Sequence, residues 1–562
     1  MGMKIGVYVC ECGPNIADHV DIDTVINKIH SLEEFEEVEL IIKRYKLLCS
    51  NEGQSFLENE IKSNELTHLV IAACSPRDHE STFMNVCKKT SLNPYLFKMV
   101  NIREHCAWII PNRAEATEKA IRYIRAGIRR AIRQSELLEK QLEANPDVLI
   151  IGGGIAGMEA ALTLASEKRK IYLIEKMNTL GGKSIGYSRL PTRQGGVTDA
   201  VQQMVGQVKQ NECIQIFTET VLESVVGFFG NFEIVLKDAK SGLLKTELKA
   251  GAVVVATGFE MLDPKKLKQY QYQEQDEVYT CLEIESMVSK EGRIILKTGE
   301  PPKSVAMLHC VGRDEKGYCS KICCNENIRI ARMIKEQLPD VSVSAYYRDL
   351  CLPGKADQKA LEEAKEQGIE FVRVKDARLN HRHIEYTDIN GSKHESSADM
   401  IILAPAMEPA DETEILAGLL NIPLDETGFF QEAHHHLNPV ATSTEGIYIV
   451  GAAQGPKGIS ESMIQAQAAG GKILTRLIPG EKIVPEVKVS QILADFCTGC
   501  KTCLEVCCYG AISFDDLKGV SVVNEAVCRG CGNCAASCPS GAIRAKHFTS
   551  SQLYTEMIEA IR

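Results

Sequence analysis

The sequence predicts a multidomain α/β protein, on three observations: a strand, glycine turn and helix between 146 and 182, twenty-two cysteines in 562 residues, and a duplicated four-cysteine run near the C-terminus. In the first, the apolar run Val148 to Ile151 ends in Gly152-Gly153-Gly154-Ile155-Ala156-Gly157 and opens into an alanine-rich helical pattern. Glycines at 152, 154 and 157 permit a tight turn, close backbone approach to a pyrophosphate and close helix packing, with the phosphates at the helix N-terminus. A second apolar strand, Ile171 to Ile174, delivers Glu175, where an acidic residue suits a ribose hydroxyl of an adenine dinucleotide. Such a glycine run alone also serves plain strand–helix packing; its setting between two strands favours the dinucleotide.

The length is too great for one core and suggests roughly three or four domains. A hydrophobic content of 44% with 25% charged residues is ordinary for a globular protein. The net charge of −11 leaves no excess of Lys and Arg to neutralise phosphates, which excludes a general nucleic-acid or anionic-membrane binder. The basic run along 122 to 133 reads as a solvated helix face. No signal-peptide core opens the sequence and no apolar run approaches the ~20 residues of a spanning helix, so a cytoplasmic protein is expected. In a reducing cytosol the cysteines read as metal ligands rather than disulfides.

Residues 1–112 form the first expected domain, an α/β unit. Lys4 to Val9 and Leu69 to Ala73 read as strands, and Asp23 to His30 and Gln54 to Ile61 have helical spacing. Cys10, Cys12, Cys49 and Cys74 fall where strands end or loops begin, so they could hold a cluster or remain scattered thiols. Cys87 and Cys106 read as core thiols. Arg113 to Ala144 is one long helical pattern with Ile121, Ile124, Ile128 and Ile132 on a stripe, a connector (113–145) ended by Asn145-Pro146.

The third expected domain, 146–482, continues through Leu180-Gly181-Gly182 to an apolar strand ending in Val255-Ala256-Thr257-Gly258. A closing segment, Gly446 to Gly451, precedes a helix from Glu461 to Leu477. This layout resembles the two-Rossmann flavoproteins of the thioredoxin reductase type. The resemblance implies an FAD site at Gly152, Gly154, Ile155, Ala156, Gly157, Glu175, Lys176, Gly182, Lys183, Ala256, Thr257, Gly258, Gly451, Gln454 and Lys457. The second Rossmann unit of that family binds NAD(P)H; its counterpart here, within 303–410, has strand Ser304 to Leu308, helix Asn325 to Gln337 and strand Val341 to Tyr347. Where its glycine turn should stand, the chain reads His309-Cys310-Val311-Gly312-Arg313, then Cys319, Cys323 and Cys324. A nicotinamide dinucleotide loses its pyrophosphate seat there, and four thiolates within fifteen residues make a cubane site, the alternative being packing or redox-sensing thiols. Adjacent Cys323 and Cys324 cannot both point the same way on a regular helix, which demands a distorted turn.

The last expected domain, 483–562, carries Cys497-x₂-Cys500-x₂-Cys503-x₃-Cys507 and Cys528-x₂-Cys531-x₂-Cys534-x₃-Cys538-Pro539, two copies of the bacterial ferredoxin run, each followed by Gly-Ala-Ile. The fourth cysteine of such a repeat ligates the other cluster. One [4Fe–4S] cluster then takes Cys497, Cys500, Cys503 and Cys538, the other Cys528, Cys531, Cys534 and Cys507. Cys508 stands where proline is usual. A zinc reading explains neither the third x₂ spacing nor the duplication.

With these motifs in hand, the whole chain resembles the flavoprotein A subunit of heterodisulfide reductase. The resemblance rests also on the Cys-x-Cys-Gly start at 10–13, Ala-Cys-Ser-Pro at 73–76, Asn-Pro-Tyr-Leu-Phe at 93–97, Asn-Ile-Arg-Glu at 101–104, Cys-Val-Gly at 310–312, Tyr-Cys-Ser at 318–320 and Gln-Gly-Pro-Lys at 454–457. It implies an oxidoreductase with FAD and two to four [4Fe–4S] clusters, in an oligomeric complex of anaerobic metabolism. Its partners would be other subunits and ferredoxin, hydrogenase- or dehydrogenase-type donors, often with flavin-based electron bifurcation. Two departures stand out: Phe228 to Val254 runs from strand to strand where fuller members insert a further ferredoxin domain, and Leu190-Pro191-Thr192-Arg193 leads into glycines where relatives tend to carry cysteines. Lys183, Arg189 and Lys457 are candidates to stabilise an anionic flavin, with a plain surface role as the alternative for each. Alternative functions are a self-contained NAD(P)H:acceptor reductase, which needs a nicotinamide site, and a non-enzymatic cluster carrier or redox sensor, which needs no flavin. No catalytic acid, base or nucleophile stands out.

Overall fold

The computed structural model describes residues 2–31, 35, 38–186 and 197–561. The chain forms two compact units, one of 1–141 together with 484–562 and one of 142–483. The two end domains expected from the sequence therefore share a unit.

In the first unit, and among the described residues, four parallel strands pair in the order Glu39–Tyr45, Lys4–Cys10, His68–Ala73, Phe97–Asn101. The two central strands are almost wholly buried, as expected of a parallel sheet covered on both faces. The helix Asn51–Ser63 begins at Ser50, whose hydroxyl accepts from the Gly53 N–H; the helix Pro76–Lys89 is capped by Ser75 with proline at its first position. Helix Arg113–Ala131 lays Ile121, Ile124 and Ile128 on the sheet.

That helix stops well short of Ala144, which corrects the long connector. The following segment is held extended by distant groups: the Ser135 carbonyl bonds the His547 ring at 2.7 Å, Asn93 donates to the Leu137 carbonyl at 3.0 Å, and Lys88 pairs with Glu139 at 2.7 Å. Tertiary partners outweigh local helix propensity. The basic run is not a solvated face either. Arg130 is 4% exposed, pairs with Glu556 and donates to the His547 carbonyl, while Arg125 pairs with Glu559 of the terminal helix Ser550–Ile561.

The second unit contains two sheets in the Rossmann manner. Among the described residues, five parallel strands run Ile447–Ile449, Ala252–Val255, Val148–Ile151, Ile171–Ile174, Ile214–Phe217. The other sheet is seven-stranded: Val278–Thr280, Met400–Pro405, Ser304–Val311, Ser342–Tyr347 and Ile369–Asn380 are parallel, and His383–Asp388 and Lys393–Ser397 extend it as a meander. Between Phe228 and Ala252 the chain makes only an antiparallel sheet, Thr220–Phe228, Asn231–Asp238 and Leu244–Ala250. Among the described residues no helix is long and apolar enough to cross a membrane.

Candidate functional site

The cleft of the second unit, about 500 Å³, opens at the carboxyl ends of the five-stranded sheet, where open α/β sheets bind ligands. Gly152, Gly154, Ile155, Ala156, Glu175, Lys176, Gly182, Lys183, Ala256, Thr257, Gly258 and Lys457 all line it. Gly152 has φ 107°, and a Cβ there would lie 2.4 Å from the Ala256 carbonyl oxygen. A Cβ on Gly157 would lie 1.9 Å from the Gly152 carbonyl oxygen, which is why the helix Ile155–Leu164 can approach its own turn. At Gly154, by contrast, nothing stands within 4 Å of where a Cβ would sit, so the cradle is open where a pyrophosphate must come close. The helix above it has no side-chain cap, leaving its first N–H groups as donors.

Glu175 is buried and accepts the Gly153 N–H at 2.7 Å and the Met177 N–H at 2.8 Å. A carboxylate has about four acceptor sites, so it can still take a ribose hydroxyl. These features fit an adenine dinucleotide. Lys183 pairs with Glu260 at 2.6 Å and Lys176 with Glu412 at 2.9 Å. Among the described residues Lys457 has no carboxylate within salt-bridge distance, and burial holds its ammonium below the usual lysine range despite Glu432 and Glu461 nearby. Arg189 and the 190–193 stretch lie outside the described residues. Gln454 is turned away from the cleft wall: it donates to the Pro439 carbonyl at 2.8 Å and accepts from Gln465 at 2.6 Å, while Gly451 donates its N–H to Gln465 at 2.9 Å. Both brace the closing loop. Met177, Thr179, Phe259, Glu260, Ile322 and Ser462 also line the cleft and carry no residue-type signature in the sequence.

Ile322 leads directly to the mid-chain cysteines. The strand Ser304–Val311 slips register between Leu308 and Val311, and Cys310 takes φ 60°, a strained conformation that recurs at functional sites. Helix Cys323–Gln337 starts regularly at its first cysteine. Cys310, Cys319 and Cys324 are all near enough to Cys323 to act on its thiol. The distortion expected at Cys323-Cys324 lies ahead of the helix, in the turn at Lys321 with φ 65° and at the strand end at Cys310. Cys324 is buried in the core and accepts the Cys351 N–H at 3.4 Å. The two adjacent sulfurs act on each other, which holds the Cys324 thiol low and, reciprocally, the Cys323 thiol high. Cys351, within reach of Cys319 and Cys324, is a fifth thiol that spacing alone does not reveal.

At the carboxyl edge of the first unit's sheet, Cys10 ends its strand and Cys74 follows the neighbouring one, the point where strand order reverses. Cys10, Cys74, Cys12 and Cys49 pack in one cluster, with Arg103 acting on Cys12, Cys49 and Cys74. Burial raises the thiols of Cys10 and Cys74 to about 11. Cys87 and Cys106 are fully buried among apolar side chains.

In the C-terminal module Cys497, Cys500, Cys503 and Cys538 line one small cavity. Cys507 and Cys528 share an apolar cluster, and both act on Cys534; Cys531 acts on Cys508 beside Cys507. The duplication is visible in geometry: Gly499 and Gly530 have φ 71° and 64°, and the third cysteine of each run, Cys503 or Cys534, meets a serine hydroxyl, Ser521 or Ser490, at 3.3 Å. Once metal-bound such a sulfur only accepts, and the hydroxyl can donate to it. Four thiols around a cavity fit a cubane. Among the described residues no three His, Cys, Asp or Glu side chains converge on a single-ion site.

Comparison with known proteins agrees. A family model for pyridine nucleotide-disulphide oxidoreductases matches residues 146–308, and one for 4Fe-4S dicluster domains matches 496–542. The second iron-sulfur A subunit of the CoB–CoM heterodisulfide reductase of Methanopyrus kandleri is 32% identical over 653 aligned positions that cover 100% of this chain and 99% of the relative. The chain belongs to the family of heterodisulfide reductase A subunits. The A subunit of the H₂:CoB–CoM heterodisulfide,ferredoxin reductase of Methanothermobacter marburgensis is 33% identical, with 99% and 97% of the two chains covered. That of the ferredoxin/F420H2-dependent enzyme of Methanosarcina acetivorans is 32% identical over 92% of this chain and 76% of its own length. As a member of this family, the chain is an oxidoreductase that carries FAD and [4Fe–4S] clusters.

Proposed function

We propose that this chain is an electron relay, cytoplasmic and part of an oligomeric heterodisulfide-reductase-type complex, passing electrons among FAD, [4Fe–4S] clusters and partner subunits. Ferredoxin or hydrogenase- or dehydrogenase-type proteins are the donors. The observation that carries this reading is the shared wall between cleft and thiols: Ile322 lines the cleft and the next residue, Cys323, opens the cysteine site. Bound FAD supplies the exchange between paired and single electrons.

The chain's own groups bind and tune. Gly152, Gly154 and the N–H groups at Ile155 and Ala156 seat the pyrophosphate, and Glu175 accepts from the ribose. Cys310, Cys319, Cys323 and Cys324 hold one cluster, and Cys10, Cys12, Cys49 and Cys74 another. The C-terminal runs hold two more, with Cys507 and Cys538 exchanged between them. The direct connection of Phe228 to Ala252 leaves no inserted ferredoxin domain, so in a bifurcating complex a second exit belongs to a partner protein. In Cys323→Ser, iron falls by about four atoms per chain with flavin retained, and transfer from reduced ferredoxin to an artificial acceptor is largely lost. Unchanged iron and transfer would refute the mid-chain relay.

Lys457 sets a positive charge in the cleft. At an effective dielectric of ~20 a charge a few ångströms away is worth up to about 4 kcal/mol, and with solvent screening about 30–60 mV of a two-electron potential remains. Lys457→Met is expected to lower the flavin midpoint by that amount in a spectroelectrochemical titration. Because its pKa is depressed, the charge is present below that pKa and lost above it. The difference between wild type and variant therefore narrows as pH rises.

A further inference from the structure

Behind the mid-chain cysteines stand two polar side chains with nothing to bond. Asn327 is 1% exposed and His309 6%; among the described residues neither Oδ1 nor Nδ2 of Asn327, and neither ring nitrogen of His309, has a hydrogen-bond partner. An orphaned carboxamide and imidazole in one buried region are costly to fold around, and native interiors keep few such groups without a reason.

Their positions supply one. Asn327 lies four residues after Cys323 and three after Cys324 on helix Cys323–Gln337, on the same face one turn along. His309 immediately precedes Cys310 at the register slip of its strand, and its ring lies beside the Cys324 sulfur without a formed hydrogen bond. The sulfurs of Cys310, Cys319 and Cys324 are close enough to act on that of Cys323. Arg313 acts on Cys310 and Cys319 and the Cys351 N–H reaches Cys324; His309 and Asn327 are buried donors near these sulfurs that still have no partner among the described residues. Thiolate and sulfide sulfurs accept hydrogen bonds; an amide and an imidazole N–H are donors.

We propose that His309 and Asn327 are positioning residues that donate N–H···S hydrogen bonds to the mid-chain cluster and raise its reduction potential. The inference rests on the proposed cluster at these cysteines. Reduction adds negative charge to the cluster, so donors to sulfur favour the reduced form. Both groups act through the cluster and touch neither FAD nor substrate.

The test is an anaerobic redox titration, followed by electron paramagnetic resonance, of the complete iron-replete chain. Cys323→Ser first identifies the signal of this cluster by its loss along with iron. Asn327→Leu and His309→Phe are then expected to lower that signal's midpoint by at least a tenfold change in the reduction equilibrium, about 59 mV for one electron. Iron content and the C-terminal cluster potentials stay unchanged. His309→Gln, which keeps an N–H donor, restores most of the shift. If His309→Phe loses its cluster, Asn327→Leu and His309→Gln still decide. Unchanged midpoints with full iron would overturn the inference alone, the two side chains then being satisfied by water. A Cys323→Ser protein that keeps all its iron would overturn the cluster and the inference together.

Discussion

Gly157→Ala is expected to yield a protein that retains its C-terminal iron and has lost its flavin. The added Cβ would sit 1.9 Å from the Gly152 carbonyl oxygen and 3.4 Å from the Ala256 side chain. Overpacking costs about 1–3 kcal/mol where flexible side chains can give way, and here the nearer obstacle is backbone. The turn must open, which moves the helix N-terminus and the Gly154 cradle off the pyrophosphate. At about tenfold per 1.4 kcal/mol, flavin affinity should fall on the order of a hundredfold or more. Flavin release on heat denaturation, set against total iron, reads both quantities in one sample. Stoichiometric flavin in this variant would mean that the cofactor lies elsewhere.

The second large effect concerns the crossed ligands of the C-terminal module. Cys538→Ala is expected to remove the same cluster signal as Cys497→Ala, because Cys538 lines the cavity of Cys497, Cys500 and Cys503 despite standing in the other run. Cys507→Ala should instead match Cys528→Ala. Each variant loses about four irons. Were Cys538→Ala to match Cys528→Ala in its spectrum, each run would hold its own cluster.

The glycine turn, the helix beyond it and the two ferredoxin runs were legible because their chemistry is local: a positive φ at Gly152, or a third cysteine opening a short helix, needs only neighbours in sequence. The N-terminal cysteines were half legible. Strand ends announced themselves, but their convergence needed the parallel order that puts Cys10 and Cys74 on one edge. What failed depended on distant partners. Helix Arg113–Ala131 ends where His547 and Asn93 take hold of the following carbonyls, and its basic face is buried by Glu556 and Glu559, more than four hundred residues away in sequence. Gln454 sat in the right motif, yet its amide serves Pro439 and Gln465. Cys351 belongs to a loop whose approach to Cys324 no spacing rule encodes.

The most direct test of the electron relay is to mix the iron-replete protein anaerobically with NADH, NADPH or reduced ferredoxin and follow flavin bleaching. The segment from His309 to Cys324 carries cysteines and a strained strand end in place of the glycine cradle a nicotinamide dinucleotide needs. Bleaching by reduced ferredoxin or a partner protein, with none from either nicotinamide nucleotide, is the predicted result. Rapid direct bleaching by NADH or NADPH would contradict it and make the chain a self-contained reductase.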